Sequence, residues 1–336
     1  MASEDTDWSL YPYNPVKPLP IVFAVFLTFL ASVQIYQCLY VYRWRRFYLT
    51  MTIASASWLG GFICRAVSVY LVRNVNMFVA QYVLLFVGPP FYAGAEYFVL
   101  GRILAYVPYY APLHPGRVLS TFLLLEMVVE AVGANGAAGA ATAHNKKERN
   151  GAYVRLEIAL ILQSLLELCF FSLVILVEKR CRRGKHFTRD LRTICYVLYI
   201  TSAMMLIRCV FRAVQCFEAT KCAFDDPQCA IVDQHEWFFW VFEVANITLY
   251  VSLLAIFPPG KYLPPNDKVY LDLYDGKTER IGPGFAQADK RSLWVTVVDP
   301  FDLAGTFSKK GRALDRFWEG DHPVYRSAEG TLEPRS

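Results

Sequence analysis

The stretch PIVFAVFLTFLASVQIYQCLYV, residues 20–41, contains no Asp, Glu, Lys or Arg. As a helix rising 1.5 Å per residue it is long enough to cross a hydrocarbon core, which needs roughly 20 mainly apolar residues. Six further stretches repeat the pattern at 48–72, 78–104, 118–141, 155–178, 192–213 and 236–257, separated by short charged strips. Lipid offers no partner to an open backbone group, so each stretch is predicted to be helical. The reading is an all-α polytopic membrane protein. A seven-transmembrane-helix bundle over 20–257 follows an N-terminal segment, 1–19, and precedes a tail, 258–336. The fourth stretch fits least well. It carries Glu126, Glu130 and a glycine- and alanine-rich run from Gly133 to Ala141, which suggests a short or re-entrant segment.

Composition agrees. The 336 residues are 55% hydrophobic and 19% charged, where a soluble domain of this size carries about a quarter charged residues. The net charge of +5 is modest, and the absence of a basic patch interleaved with aromatics argues against nucleic-acid binding. No GxxxxGK[ST] loop is present, so nothing points to direct use of ATP. His235-Glu236 is followed by Trp237, Phe238, Phe239 and Trp240, so HExxH is missing too. His114, His144, His186, His235 and His322 all fall in loops or the tail, which argues against an intramembrane zinc hydrolase. No enzyme activity, metal or cofactor is expected.

The placement of charge predicts the orientation, because cytoplasmic loops carry the excess of Lys and Arg. Arg43, Arg45 and Arg46 occupy the first loop. Lys179, Arg180, Arg182, Arg183, Lys185, Arg189 and Arg192 crowd the fifth. Both belong inside, which places the N-terminus outside and the tail in the cytoplasm. Lys146, Lys147 and Arg149 in the fourth loop run against this. Glu4, Asp5 and Asp7 near the N-terminus leave no basic n-region, so the first span reads as an uncleaved anchor. The sixth loop, about 214–235, is acidic and holds Cys216, Cys222 and Cys229. On an oxidising exterior Cys222 and Cys229 are candidates for a disulfide, with free thiols as the alternative. The tail reads as largely disordered, with one or two docking segments.

Charged side chains at mid-membrane cost about 2.5–3.5 kcal/mol each on insertion scales. Arg65, Glu96, Arg102, Glu126, Glu130, Glu167, Arg208, Arg212 and Glu243 therefore each need a reason. By depth, Arg65, Glu130, Arg208 and Glu243 are expected around one cavity open to the outside. Glu126 and Glu130 are spaced i, i+4, as are Arg208 and Arg212, so each pair shares a helix face. Structural ion pairing is the alternative. Snorkelling to the interface explains Arg102 and Arg212 more cheaply. Gly88-Pro89-Pro90 is expected to break the third span, as a kink or as the lining of a path. Gly133, Gly136 and Gly139 are read as a site of close helix packing.

Several of these residues fall into an order that resembles the fungal lipid-translocating exporter family, the RTA-like proteins. The run Gly88-Pro89-Pro90-Phe91-Tyr92-Ala93, then Tyr97, then Leu100-Gly101-Arg102, is similar to that family's third-span signature. Leu160-Ile161-Leu162-Gln163 resembles its fifth-span element. Arg208, Phe211 and Arg212 resemble its R-x-x-[YF]-R. His235-Glu236, Phe242-Glu243 and Pro259-Gly260-Lys261 resemble its last motifs. The likeness covers about 21–265 and leaves out the tail. The chain departs from the pattern at Leu123, where the family has an acid, and at Glu126, Glu130, Glu96 and Pro258.

The resemblance implies export or translocation of amphipathic lipids, such as sphingoid long-chain bases or sterol-like toxic compounds, at the plasma membrane. It brings Tyr97, Gln163 and Arg212 into the candidate substrate site. On the residues' own chemistry, Glu126, Glu130 and Glu243 would contact a cationic headgroup while Arg208 balances their charge. A seven-span lipid or stress sensor signalling through the tail is the alternative. The expected partners are membrane lipids or amphipathic small molecules. A homo-oligomer and a cytosolic partner for the tail stay open.

Overall fold

Each of the seven apolar stretches forms a long helix: α1 (Pro18–Tyr42), α2 (Arg45–Tyr70), α3 (Val75–Tyr106), α4 (Pro115–Thr142), α5 (Lys146–Arg183), α6 (Arg189–Lys221) and α7 (Glu236–Tyr262). The computed structural model describes residues 11, 13–42, 44–111, 115–143, 145–184, 187–221, 231–284, 295, 317–320 and 322–326. All seven are long and apolar enough to cross a bilayer. Cys222 and Cys229 lie outside the described residues.

Consecutive helices pack on one another, and α7 closes the bundle against α1 and α6. The most buried helix is α3, which touches α2, α4, α5 and α6. The fourth span is a full helix rather than a short or re-entrant one. Its glycines explain how it packs: a Cβ added at Gly136 would lie 2.7 Å from the Leu156 backbone nitrogen and 2.9 Å from the Ala152 carbonyl. The backbones of α4 and α5 thus approach where only glycine fits. The fourth-loop cations also change meaning. Lys146, Lys147 and Arg149 form the first turns of α5, which begins at an Asn145 cap accepting from the Glu148 amide at 2.9 Å. With 38 residues, α5 is about 57 Å long, so its charged ends project beyond a 30 Å hydrocarbon core.

Gly88-Pro89-Pro90 does not break α3, which runs as one helix from Val75 to Tyr106. Pro89 has no N–H to give the Leu85 carbonyl, and the indole Nε1 of Trp58 on α2 donates to that oxygen instead, at 3.2 Å. Gly88 makes room for the ring, since a Cβ there would sit 2.1 Å from Trp58 Cδ1. A neighbouring side chain also serves an open carbonyl in α7. The continuous helix of α7 ends at Ile256, so the Ala255 carbonyl is one of its open terminal groups, and Gln37 Nε2 on α1 donates to it at 2.8 Å.

β1 (Val269–Leu271), β2 (Glu279–Ile281) and β3 (Val324–Arg326) form an antiparallel sheet in the order β1-β2-β3. Leu263 and Leu271 join the hydrophobic core of the bundle, and the Tyr106 hydroxyl donates to Glu279 Oε1 at 3.0 Å. Apolar burial at this end of α3 holds the described strands against the bundle. The half-buried Arg102 guanidinium donates to the Pro264 carbonyl at 2.8 Å, at the end of the bundle, and lies over the Trp44 ring.

Gly88→Ala is expected to lower the thermal unfolding midpoint of the purified protein by overpacking, at a cost of about 1–3 kcal/mol. Trp58→Phe is expected to lower it by about as much, because it leaves a buried carbonyl bare. Unchanged midpoints in both variants would mean that the α2–α3 seam does not rest on this contact.

Candidate functional site

Three helices that are apolar over most of their length turn carboxyls toward one another in the middle of the bundle. Glu96 and Tyr97 come from α3, Glu126 and Glu130 from α4, and Gln163 and Glu167 from α5. Glu96, Glu126, Gln163 and Glu167 are buried. Gln163 Nε2 donates to Glu126 Oε1 at 2.9 Å. The Tyr97 hydroxyl lies 3.5 Å from both Glu126 Oε2 and Glu167 Oε1. It has one proton to give, so it serves one carboxyl at a time. Ser202 Oγ on α6 donates to Glu96 Oε2 at 3.0 Å. Beside the carboxyls, the Tyr97 ring packs on Phe122 at 5.1 Å and Phe170 at 4.9 Å. The centre is thus polar on one side and aromatic on the other.

A second group adjoins it on α6 and α7. Glu243 is fully buried and accepts from Arg212 at 2.6 Å, with Arg208 at 3.7 Å. The i, i+4 spacing of the arginines brings both guanidinia to this one carboxylate. Glu243 lies within Trp240–Ala245, a π-helical segment of α7. Such bulges cluster at functional sites. Arg208 also acts electrostatically on Glu126, Glu130 and Glu167, which joins the two groups. Arg212 therefore does not snorkel; a buried carboxylate holds it inside.

The expectation that Arg65 shares this cavity is corrected. Arg65 is buried at the end of α2 and pairs with Glu236 at 2.7 Å. That pair sits at the end of the bundle where α2 ends and α7 begins. Residues preceding α1 fold over it. Arg65 donates to the Tyr13 hydroxyl at 3.1 Å, and the Val16 amide donates to Glu236 Oε2 at 2.7 Å. Burial raises the pKa of the Tyr13 phenol despite the adjacent guanidinium.

Among the predicted site residues, Tyr97, Glu126 and Gln163 are in mutual hydrogen-bond range, and Arg208, Arg212 and Glu243 form the ion-paired group. Glu130 stands between the groups, with its Oε1 buried and without a hydrogen-bond partner. Glu96 and Glu167 belong to the centre although sequence reasoning had not placed them there. Glu167 could have been found from its i, i+4 spacing to Gln163. Glu96 had no such signal, because its partner Ser202 lies 106 residues away. Among the described residues, no trio of His, Cys, Asp or Glu is arranged to hold a metal ion.

Removing the Glu243 carboxylate by Glu243→Gln leaves two buried guanidinia facing a neutral amide. Breaking a buried pair in this way costs about 3–5 kcal/mol, so a marked fall in unfolding midpoint is expected. Glu130→Gln breaks no hydrogen bond at Oε1 and is expected to leave the midpoint unchanged or higher. Equal midpoints for the two variants would refute this division of roles.

A family model described as RTA1 like protein matches residues 51–266. Two curated fungal relatives are each named lipid-translocating exporter-like protein RTA1. The one from Leptosphaeria maculans is 30% identical over 302 residues, covering 85% of this chain and 57% of the relative. The one from Ajellomyces capsulatus is 28% identical over 235 residues, covering 66% of this chain and 70% of the relative. The chain thus spans little more than half the length of the first. No solved structure matches the chain.

Proposed function

This chain belongs to the RTA1-like family, and on that premise we propose that it exports or translocates an amphipathic lipid with a cationic headgroup across the plasma membrane. The single observation that carries the reading is the charge balance inside the bundle. Among the described residues, Glu96, Glu126, Glu130, Glu167 and Glu243 share the region with only Arg208 and Arg212, a surplus of three carboxyls. A low-dielectric interior tolerates such a surplus only if a cation or a proton enters. An ammonium headgroup supplies that charge, and the aromatic wall of Phe122, Tyr97 and Phe170 suits the start of an alkyl chain. Glu126 and Glu130 take the headgroup in this reading. Tyr97 and Gln163 hold Glu126 in place, and Arg208 limits repulsion among the acids. The work is binding and passage, not bond making.

A second reading is favoured by the docked tail. One helix, α3, carries both Tyr97 and the tail contacts at Arg102 and Tyr106. A sensor would report occupancy of the site through that helix. Glu279→Ala separates the two readings: a sensor loses its output, whereas an exporter keeps its efflux.

Cells expressing Glu130→Gln are expected to export sphinganine at least tenfold more slowly than wild type, with the protein present at equal level. Efflux equal in wild type, variant and deletion strain would sink the export reading.

A further inference from the structure

The segment at residues 13–17, together with Tyr11, lies across the end of the bundle from which the polar column starts. Its contacts reach three helices. The Tyr11 hydroxyl donates to Ser68 Oγ on α2 at 2.9 Å and accepts from Gln81 Nε2 on α3 at 2.8 Å. Tyr13 and Val16 engage Arg65 on α2 and Glu236 on α7. The Arg65 guanidinium is further boxed by aromatic faces, 4.4 Å from the Phe239 ring centre, 5.3 Å from Trp240 and 5.7 Å from Tyr11.

We propose that this segment is a strap that gates the cargo site, with the Arg65–Glu236 pair as its latch. Three observations carry this. First, Glu236 and Glu243 stand seven residues apart on α7, about 10 Å along the axis, and the π-helical segment that holds Glu243 begins between them. A cation that enters from this end meets Glu236 before it meets Glu243, Glu130 and Glu126. Second, a cationic headgroup that reaches Glu236 competes with Arg65 for the same carboxylate, and the aromatic faces around Arg65 hold an ammonium as well as a guanidinium. Displacing Arg65 also loosens Tyr13 and Val16, because both are tied to the same pair. Third, the closed arrangement is incompletely satisfied. Arg65 Nε and Gln81 Oε1 are buried without hydrogen-bond partners, so closure gives up two hydrogen bonds that an open, hydrated state regains.

This inference rests on the export reading for the identity of the cargo, and its test separates the two. Hydrogen–deuterium exchange is measured on the full chain in lipid nanodiscs, following the amides of residues 13–17, with sphinganine as the probe. Sphinganine binding is measured separately, in wild type and in Glu130→Gln. Saturating sphinganine is expected to speed exchange at Val16 at least tenfold in wild type. Glu236→Gln is expected to do so without sphinganine, and Tyr13→Phe, which removes one hydroxyl and no charge, to a smaller extent. Sphinganine that binds yet leaves exchange at Val16 unchanged overturns the gate and leaves the export reading standing. Exchange in Glu236→Gln equal to wild type overturns the latch. Absence of sphinganine binding overturns the export reading and the cargo-opened gate together.

Discussion

A bilayer core neither donates hydrogen bonds nor solvates charge, and the arrangement of this bundle follows from that constraint. Two backbone carbonyls lack a donor within their own helix, one beside Pro89 and one at the end of a helix, and in each case a side chain from a neighbouring helix supplies the hydrogen bond. Trp58 serves the Leu85 carbonyl freed by Pro89, and Gln37 serves the Ala255 carbonyl left open where the helix ends at Ile256. These repairs fix α2 against α3 and α1 against α7 through specific atoms. In water the open carbonyls would be solvated, and the contacts would be worth far less.

Charge obeys the same rule with a different outcome. Arg208 and Arg212 are made tolerable by Glu243, and Arg65 by Glu236. Among the described residues, the carboxyls of Glu96, Glu126 and Glu167 have hydroxyls, an amide and no guanidinium of their own, and Glu130 Oε1 has no hydrogen-bond partner. Stability alone would favour replacing them with apolar residues. Their presence is a cost that structural pairing does not explain, and for that reason the functional reading rests on them rather than on the arginines.

One helix links the separate parts. α3 receives the N-terminal segment at Gln81, admits Trp58 at Gly88 and carries Glu96 and Tyr97 in the acid centre. It then anchors the tail through Arg102 and Tyr106. A shift of α3 would be felt at both ends of the bundle and in its middle. That geometry accommodates an exporter, whose ends open in turn, and also a sensor that reports through its tail.

Seven spans, the limits of the first four to within a few residues, and the helix faces shared by Glu126 with Glu130 and Arg208 with Arg212 were legible in the chain alone. Length, apolar composition and i, i+4 spacing are local properties, and a membrane leaves a helix as the sole outcome for such a segment. The pairing of those faces was not legible. Depth along a helix can be counted from its ends, but rotation about the axis and the identity of the neighbour cannot. So Arg65 read as a member of the cavity until tertiary packing placed Glu236 beside it, and Arg212 read as snorkelling until Glu243 held it inside. Pro89 read as a break for the same reason: the donor that repairs it lies 27 residues from Leu85. Local sequence determined which segments are helices and which of their faces are charged. Only the tertiary structure decided which charge meets which, because those energies depend on distance across the bundle and not on separation along the chain.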